Sequence, residues 1–213
     1  MAKILADKDI VRLLGTVILN AERDRVNPNG IEIRLGKHVL FHSTDEEKQL
    51  EPGTYLKVLP GETVTITSCE KFDFTREAID KVFPGCDLMA LITPTTTMMR
   101  EGIMQSTTKV DSGWTGTLNW GLRNSSTRDF ILGFGEPIFK LTVFLLEGGE
   151  LPEIPYGQRA DDRYQNTHSS VHTKGAGQYP EEASCRVLRG APRSSQTTAG
   201  GWVPIRSHQY GAN

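Results

Sequence analysis

The stretch VDSGWTGTLNWGLRN, Val110 to Asn124, decides how the rest of the chain is read. Asp111 opens it, and Gly113 and Gly116 permit a tight turn around Trp114. Leu118, Trp120 and Leu122 then alternate with Thr117, Asn119, Gly121 and Arg123. Side chains on a strand project to opposite faces with period two, so this run predicts a half-buried β-strand entered from a hairpin-like turn. The apolar set faces a core. The polar set carries no carboxylate.

Strands dominate on either side. Gly30–His42, Thr54–Ser68, Leu88–Thr97 and Pro137–Glu147 are rich in β-branched and apolar residues and are punctuated by Pro-Gly, Asn-Gly and Gly-Gly pairs. Two short helices are expected. One is a capped segment beginning at Asp7, with Ile10, Leu13 and Leu14 on one stripe and Gly15 just beyond. The other lies in TREAIDKVFPG, with Thr75 as N-cap, Ile79, Val82 and Phe83 inward, and Pro84-Gly85 as the stop. The expected fold is all-β, a barrel or sandwich of about a dozen short strands carrying small helices. Residues 1–166 form the expected domain. From Thr167 to Asn213 the chain is rich in Ser, Thr, Gly, Ala and Pro and too poor in apolar residues to offset chain entropy, so a flexible tail is expected there.

A chain of 213 residues is long enough for one domain with an ordinary core, and its net charge of −2 gives no electrostatic reason to expect nucleic-acid binding. Cys69, Cys86 and Cys185 are odd in number and lack a C-x-x-C spacing, which argues for free thiols and a reducing compartment. The N-terminal MAKILADKDIVRLL lacks the apolar core of a signal peptide, and no stretch reaches membrane-spanning length. A cytoplasmic protein without membrane association is expected. His168 and His172 have a spacing that suits a metal only on a helix, and their surroundings read as coil. No His-x-Glu with Pro-Cys-x-x-Cys is present, so neither a metal site nor zinc-dependent deamination is expected.

Four pieces in order carry a family likeness: NPNGIEIRLG, LEPGTYLKVLPGETVTITSCE, VDSGWTG with its following strand and LRN, and IPYGQRADDRYQN. Together, over about Ile4 to Asn166, they resemble the dCTP deaminase branch of the dCTP deaminase/dUTPase family. The resemblance implies a dUTPase-like distorted β-barrel and a homotrimer with sites at subunit interfaces. It also implies a pyrimidine deoxynucleoside triphosphate as ligand, dCTP or dUTP, with Mg²⁺ on its phosphates.

Carried over residue by residue, the likeness is uneven. Asp111 matches the aspartate that lies near the deoxyribose, which makes it the candidate catalytic residue. The deaminases carry a glutamate ten positions later that activates water for attack on cytosine C4; that position is Gly121. General acid/base work needs a titratable group within reach of the proton, and glycine has none. Asn119 takes up no proton near neutral pH and Arg123 stays charged. The family's phosphate-binding stretch aligns with PTTTMMREGI, where Thr96 and Thr97 keep the hydroxyls, Arg100 keeps the second arginine, and Thr95 replaces the first. Tyr156, Arg163 and Tyr164 match the C-terminal nucleotide-binding piece, while Thr167 stands where a tail glutamine usually closes the site. Trp114 completes the nucleotide-binding set by resemblance.

Each residue has a plainer reading. Asp111 can cap its own turn, Trp114 can be core, Arg100 can be a solvated surface residue, and Thr96 and Thr97 can be strand formers. AGGW around Trp202 reads as linker. Three functions remain open at this level: an enzyme of pyrimidine nucleotide metabolism, either a deaminase or a pyrophosphatase using Asp111; a non-catalytic nucleotide sensor; and a structural interaction module on the same scaffold.

Overall fold

The computed structural model describes residues 2–105, 108–159, 162 and 164–166. Thirteen strands appear in it: β1 (Lys3–Ile4), β2 (Ile18–Leu19), β3 (Val26–Asn27), β4 (Gly30–Phe41), β5 (Glu46–Gln49), β6 (Tyr55–Val58), β7 (Thr63–Asp73), β8 (Cys86–Pro94), β9 (Ile103–Gln105), β10 (Thr108–Val110), β11 (Thr115–Asn124), β12 (Phe130–Gly133) and β13 (Pro137–Glu147). Three short helices accompany them: α1 (Asp7–Leu13), α2 (Arg76–Asp80) and α3 (Thr96–Arg100). Eleven strands form one sheet with the path β10-β8-β13-β4-β7-β11-β9, all its strand pairs antiparallel, and β6 pairs with β12 in a separate ribbon. The expected all-β, dUTPase-like distorted barrel is what the chain adopts.

Alternation builds the core. On β13, Phe139, Leu141, Val143 and Leu145 are buried every second residue, and they meet Ile31 and Ile33 of β4 and Leu88, Ala90 and Ile92 of β8 across the register. Trp120 stacks at 4.3 Å between centroids on Phe139, which joins β11 to the same core. The β4–β7 register shifts between Leu35 and Val39, next to Gly36. A Cβ at Gly36 would lie 2.4 Å from the Ser68 carbonyl oxygen, so only glycine allows the two backbones to approach here.

The helix expectations meet mixed outcomes. Thr75 caps α2 by accepting from the Ala78 N–H, Ile79 and Phe83 are buried, and Arg76 clamps the helix to buried Asp87 of β8 through two hydrogen bonds. At α1 the N-cap is Ala6 rather than Asp7, which is the first helical residue. The strand expected to reach Thr97 stops at Pro94. Thr95 then caps α3, its hydroxyl accepting from the Met98 N–H at 3.3 Å, because a threonine ahead of an unpaired amide competes with the ladder. Thr54–Ser68 likewise holds two strands, β6 and β7, lying in different sheets. Among the described residues no helix is long and apolar enough to cross a membrane. Cys69 and Cys86 are free, and the expected tail from Thr167, with Cys185, His168, His172 and Trp202, lies outside the described residues.

Candidate functional site

The turn between Val110 and Thr115 is held from every side by backbone. Gly113 has φ 88°, and a Cβ there would meet the Tyr156 carbonyl oxygen at 2.5 Å, so the turn requires glycine for both conformation and contact. The Gly113 N–H donates to the Phe74 carbonyl and the Tyr156 N–H to the Ser112 carbonyl, each within 2.8 Å. Ser112 is buried and its hydroxyl donates to the Leu88 carbonyl. The segment after Pro155 wraps the same turn: Gln165 Nε2 donates to the Gly113 carbonyl, its Oε1 accepts from the Thr115 N–H, and the Asn166 N–H reaches the Thr115 carbonyl. Gln165 carries this strap, and a glutamine in a motif otherwise read for Tyr156, Arg163 and Tyr164 was the available signal for it.

This packing leaves a cavity of about 300 Å³ whose polar lining includes Lys109, Asp111, Tyr156, Arg159 and Asp162. Asp111 is half-exposed there and pairs with Lys109 Nζ. Asp162 turns its Oδ2 to the Gly157 and Arg159 N–H groups, which shapes the rim as a fixed loop. Sequence patterning did not single out Lys109, Arg159 or Asp162, because charges in a turn-rich segment have no periodicity to mark them.

Of the residues expected at a nucleotide site, Asp111 and Tyr156 meet in this cavity. The Tyr156 hydroxyl accepts from the Tyr164 N–H, and Tyr164 is half exposed. Trp114 is buried at 7 % exposure and its indole N–H donates to the Tyr164 carbonyl, so it packs beneath the strap. Arg163 lies outside the described residues. Thr96, Thr97 and Arg100 are all exposed on α3, which follows the far end of β8. Asp111 sits at the level of Met89, and from Met89 to Pro94 the strand advances about 16 Å at about 3.3 Å per residue. One chain therefore does not gather Arg100 and Asp111 at one point.

Gly121 lies in the ladder opposite Thr65, on the face shared with Asn119 and Thr117 and away from Leu118, Trp120 and Leu122, which are buried as expected. The position where its Cβ would project is open space. Next to it, β9 pairs with β11 at Leu122–Asn124, and β10 pairs with β8. Three buried polar side-chain atoms of the described residues have no hydrogen-bond partner: Gln105 Nε2 and Trp120 Nε1 on the buried face, and Asn119 Oδ1 on the face shared with Gly121.

Two further polar clusters are structural. Asn124, fully buried, donates through Nδ2 to the carbonyls of Val58 and Arg128 and accepts through Oδ1 from the Ser126 N–H and hydroxyl. Arg34 donates through its backbone N–H and Nε to Glu70, which is 1 % exposed, and its other nitrogens reach Glu22 and the Asn20 carbonyl. Burial pushes the Glu70 carboxyl above the usual range despite these bonds, and pushes the neighbouring Cys69 thiol up to about 11. Both clusters tie strands together away from the Asp111 cavity.

Residues 4–146 match the family model described as dCTP deaminase-like. The chain is 24% identical over 163 residues to a dUMP-forming dCTP deaminase of Methanoregula boonei, a match covering 70% of this chain and 82% of the relative. It is 26% identical over 126 residues to a probable deoxyuridine 5'-triphosphate nucleotidohydrolase of Sulfolobus islandicus rod-shaped virus 1, covering 58% of this chain and 72% of that protein. The crystal structure of 2'-deoxycytidine 5'-triphosphate deaminase from Agrobacterium tumefaciens superposes with a TM-score of 0.53 at 18% identity over 68% of this chain. The chain spans 49% of that longer protein, and the likeness is one of fold.

Proposed function

This chain belongs to the dCTP deaminase-like family, and from that premise we propose that it binds a pyrimidine deoxynucleoside triphosphate without deaminating it. The observation that carries the reading is Gly121. The position where the deaminases place their glutamate holds no side chain and faces open space, and its neighbours on that face are Asn119, Thr65 and Arg123 rather than a carboxylate. Water attack on C4 requires a positioned proton acceptor, whose contribution is typically about 10²–10⁴-fold. Binding needs none, and the relatives named above act on dCTP or dUTP by their descriptions.

Asp111 and Tyr156 face the sugar end of the nucleotide in this reading, and Thr96, Thr97 and Arg100 face its phosphates. Because these two groups lie about 16 Å apart along β8 in one chain, at about 3.3 Å per residue, completing the site between copies is part of this reading, which favours a homotrimer. Mg²⁺ would arrive on the phosphates, where it offsets their charge; no cluster of three or more His, Cys, Asp or Glu among the described residues could hold the ion alone. Trp114 and Tyr164 support the turn from below, and Arg163 belongs to the same segment. A sensor role follows most simply from binding without turnover.

A second reading is favoured by the half-exposed carboxylate of Asp111 in its cavity. That group can orient a water toward a phosphate, which would make the protein a pyrophosphatase. The test is thermal unfolding with dCTP, dUTP and dTTP, since a ligand that binds only the folded state stabilises it by RT ln(1 + [L]/Kd). Pyrophosphate assay of the same mixtures separates sensor from hydrolase. A melting midpoint unmoved by all three nucleotides would end both readings and leave the interaction module.

A further inference from the structure

We infer that a cavity between β4, β7 and β11 is a binding site for a phosphate group. Among the described residues it shares no lining residue with the Asp111 cavity, and the inference does not depend on the nucleotide-binding reading above.

The cavity lies where both ladders of β7 slip. Leu35 and Val39 of β4 stand opposite Ser68 and Ile66, so residues 36–38 together face Thr67. On the other edge Thr117 and Asn119 stand opposite Lys71 and Thr67, so residues 68–70 together face Leu118. Such irregularities re-aim side chains, and here the adjacent Lys37 and His38 line one space with Arg34. Its volume of about 410 Å³ falls in the range of roughly 300–1,000 Å³ usual for small-molecule sites. The hydroxyl-bearing Thr67, Ser68 and Thr117 also line it, and no carboxylate among the described residues does. Three carboxylates reach the bases without lining the cavity: Glu70 accepts from Arg34 Nε at 2.7 Å, Glu22 pairs with Arg34 Nη1, and Glu47 meets His38 Nδ1 at 3.1 Å. They fix these two side chains and offset their charge. Lys37 is exposed and has no counter-ion among the described residues. Arg34 gives one N–H each to Glu70, Glu22 and the Asn20 carbonyl, which leaves two of its five N–H groups uncommitted on a fork already held in place. His38 keeps Nε2 for a ligand, a donor when the ring is charged. The Thr67 and Ser68 hydroxyls are spent within the sheet, on His38 and on the Glu70 carbonyl and Leu118 N–H, whereas the Thr117 hydroxyl has no partner among the described residues. The groups left open are thus all able to donate, one of them carries an unopposed positive charge, and they come from two different strands. A phosphate group, with oxygens spread about a tetrahedral centre, matches donors converging from several sides, and the Arg fork suits two of those oxygens.

The experiment is calorimetric titration of the full-length protein with inorganic phosphate, and with acetate as comparator at matched ionic strength, for the wild type, Lys37→Gln, Lys37→Arg and Thr117→Val. The wild type is expected to favour phosphate over acetate by about tenfold or more, the scale of an added charge-assisted hydrogen bond. Lys37→Gln should weaken phosphate by about tenfold, Lys37→Arg should stay within about threefold of the wild type, and Thr117→Val should lose about threefold or more. Melting of each variant without ligand verifies that it folds. Repeating the phosphate titration with dCTP present distinguishes the sources of the group: an unaltered affinity assigns the cavity to a free anion, and a Lys37-dependent competition assigns it to the phosphates of the nucleotide. No phosphate binding by the wild type at millimolar concentration overturns the inference, as does acetate binding equally well. A phosphate affinity that Lys37→Gln leaves intact overturns it too, and a change of oligomeric state in that variant would then mark Lys37 as a contact between copies.

Discussion

Gly121 of β11 lies directly opposite Thr65 of β7, and a side chain at residue 121 would project into open space on that shared face. The face at residue 121 therefore lacks a side chain and is not filled by a neighbouring one. Gly121→Glu should fold, with stability changed by less than about 1 kcal/mol, because glycine inside a strand is already the weaker choice by roughly 0.5–1 kcal/mol. Urea denaturation measures it, and a loss above about 2 kcal/mol would show that the face is occupied in solution.

Gly113 stands at the other extreme. A Cβ there would meet the Tyr156 carbonyl oxygen at 2.5 Å and the Pro155 side chain at 2.7 Å, at a φ of 88°. Gly113→Ala should cost about 1–3 kcal/mol and release the Tyr156 segment from the turn. Amide hydrogen exchange at Tyr156 and Asn166, whose N–H groups bond to Ser112 and Thr115, reports that release. Unchanged protection would contradict it.

Much of this was legible beforehand. The alternation through Leu118, Trp120 and Leu122 named the buried face, and Thr75 named the start of α2, because both signals are local and periodic. The start of α3 was not legible: a Thr-rich run after Pro94 satisfies strand and cap rules equally, and the choice is made by tertiary packing that buries Met98. The Arg34–Glu70 pair was also hidden, since two charges 36 residues apart meet only once β4 and β7 are in register. Lys109, Arg159 and Asp162 surround Asp111 for the same non-local reason.

Asn124 should prove structurally indispensable. Asn124→Ala would strand the buried carbonyls and the Ser126 N–H that the side chain now satisfies, at a cost of at least about 2 kcal/mol. Chemical denaturation measures this, and a loss under about 0.5 kcal/mol would mean that water replaces all the bonds.

Alkaline pH should weaken the fold through Cys69. Burial holds its thiol at about 11, above the ordinary 9.0, so between those values the folded chain keeps a proton that the unfolded chain has released. Stability then falls as pH rises through that window, by linkage. Cys69→Ala should flatten the fall between pH 9 and 11 relative to the wild type; equal slopes in the two proteins would contradict it.

Arg100 and Arg123 are both exposed, and of the two the proposed reading assigns only Arg100 to the nucleotide phosphates. Arg100→Ala should weaken nucleotide affinity by about tenfold or more, the scale of a charge-assisted contact of roughly 1.5–3 kcal/mol, with Arg123→Ala near the wild type. Titration calorimetry checks the pair, and equal losses would remove Arg100 from the site.

The central claim is binding without deamination, and mass analysis of dCTP incubated with the protein tests it most directly. At protein and nucleotide concentrations where the melting midpoint has risen, the account predicts that the cytosine base is recovered unchanged and no ammonia is released. Formation of a uracil nucleotide with equimolar ammonia by the unmodified chain would show that a proton-transfer group other than residue 121 serves the base, and would contradict the account.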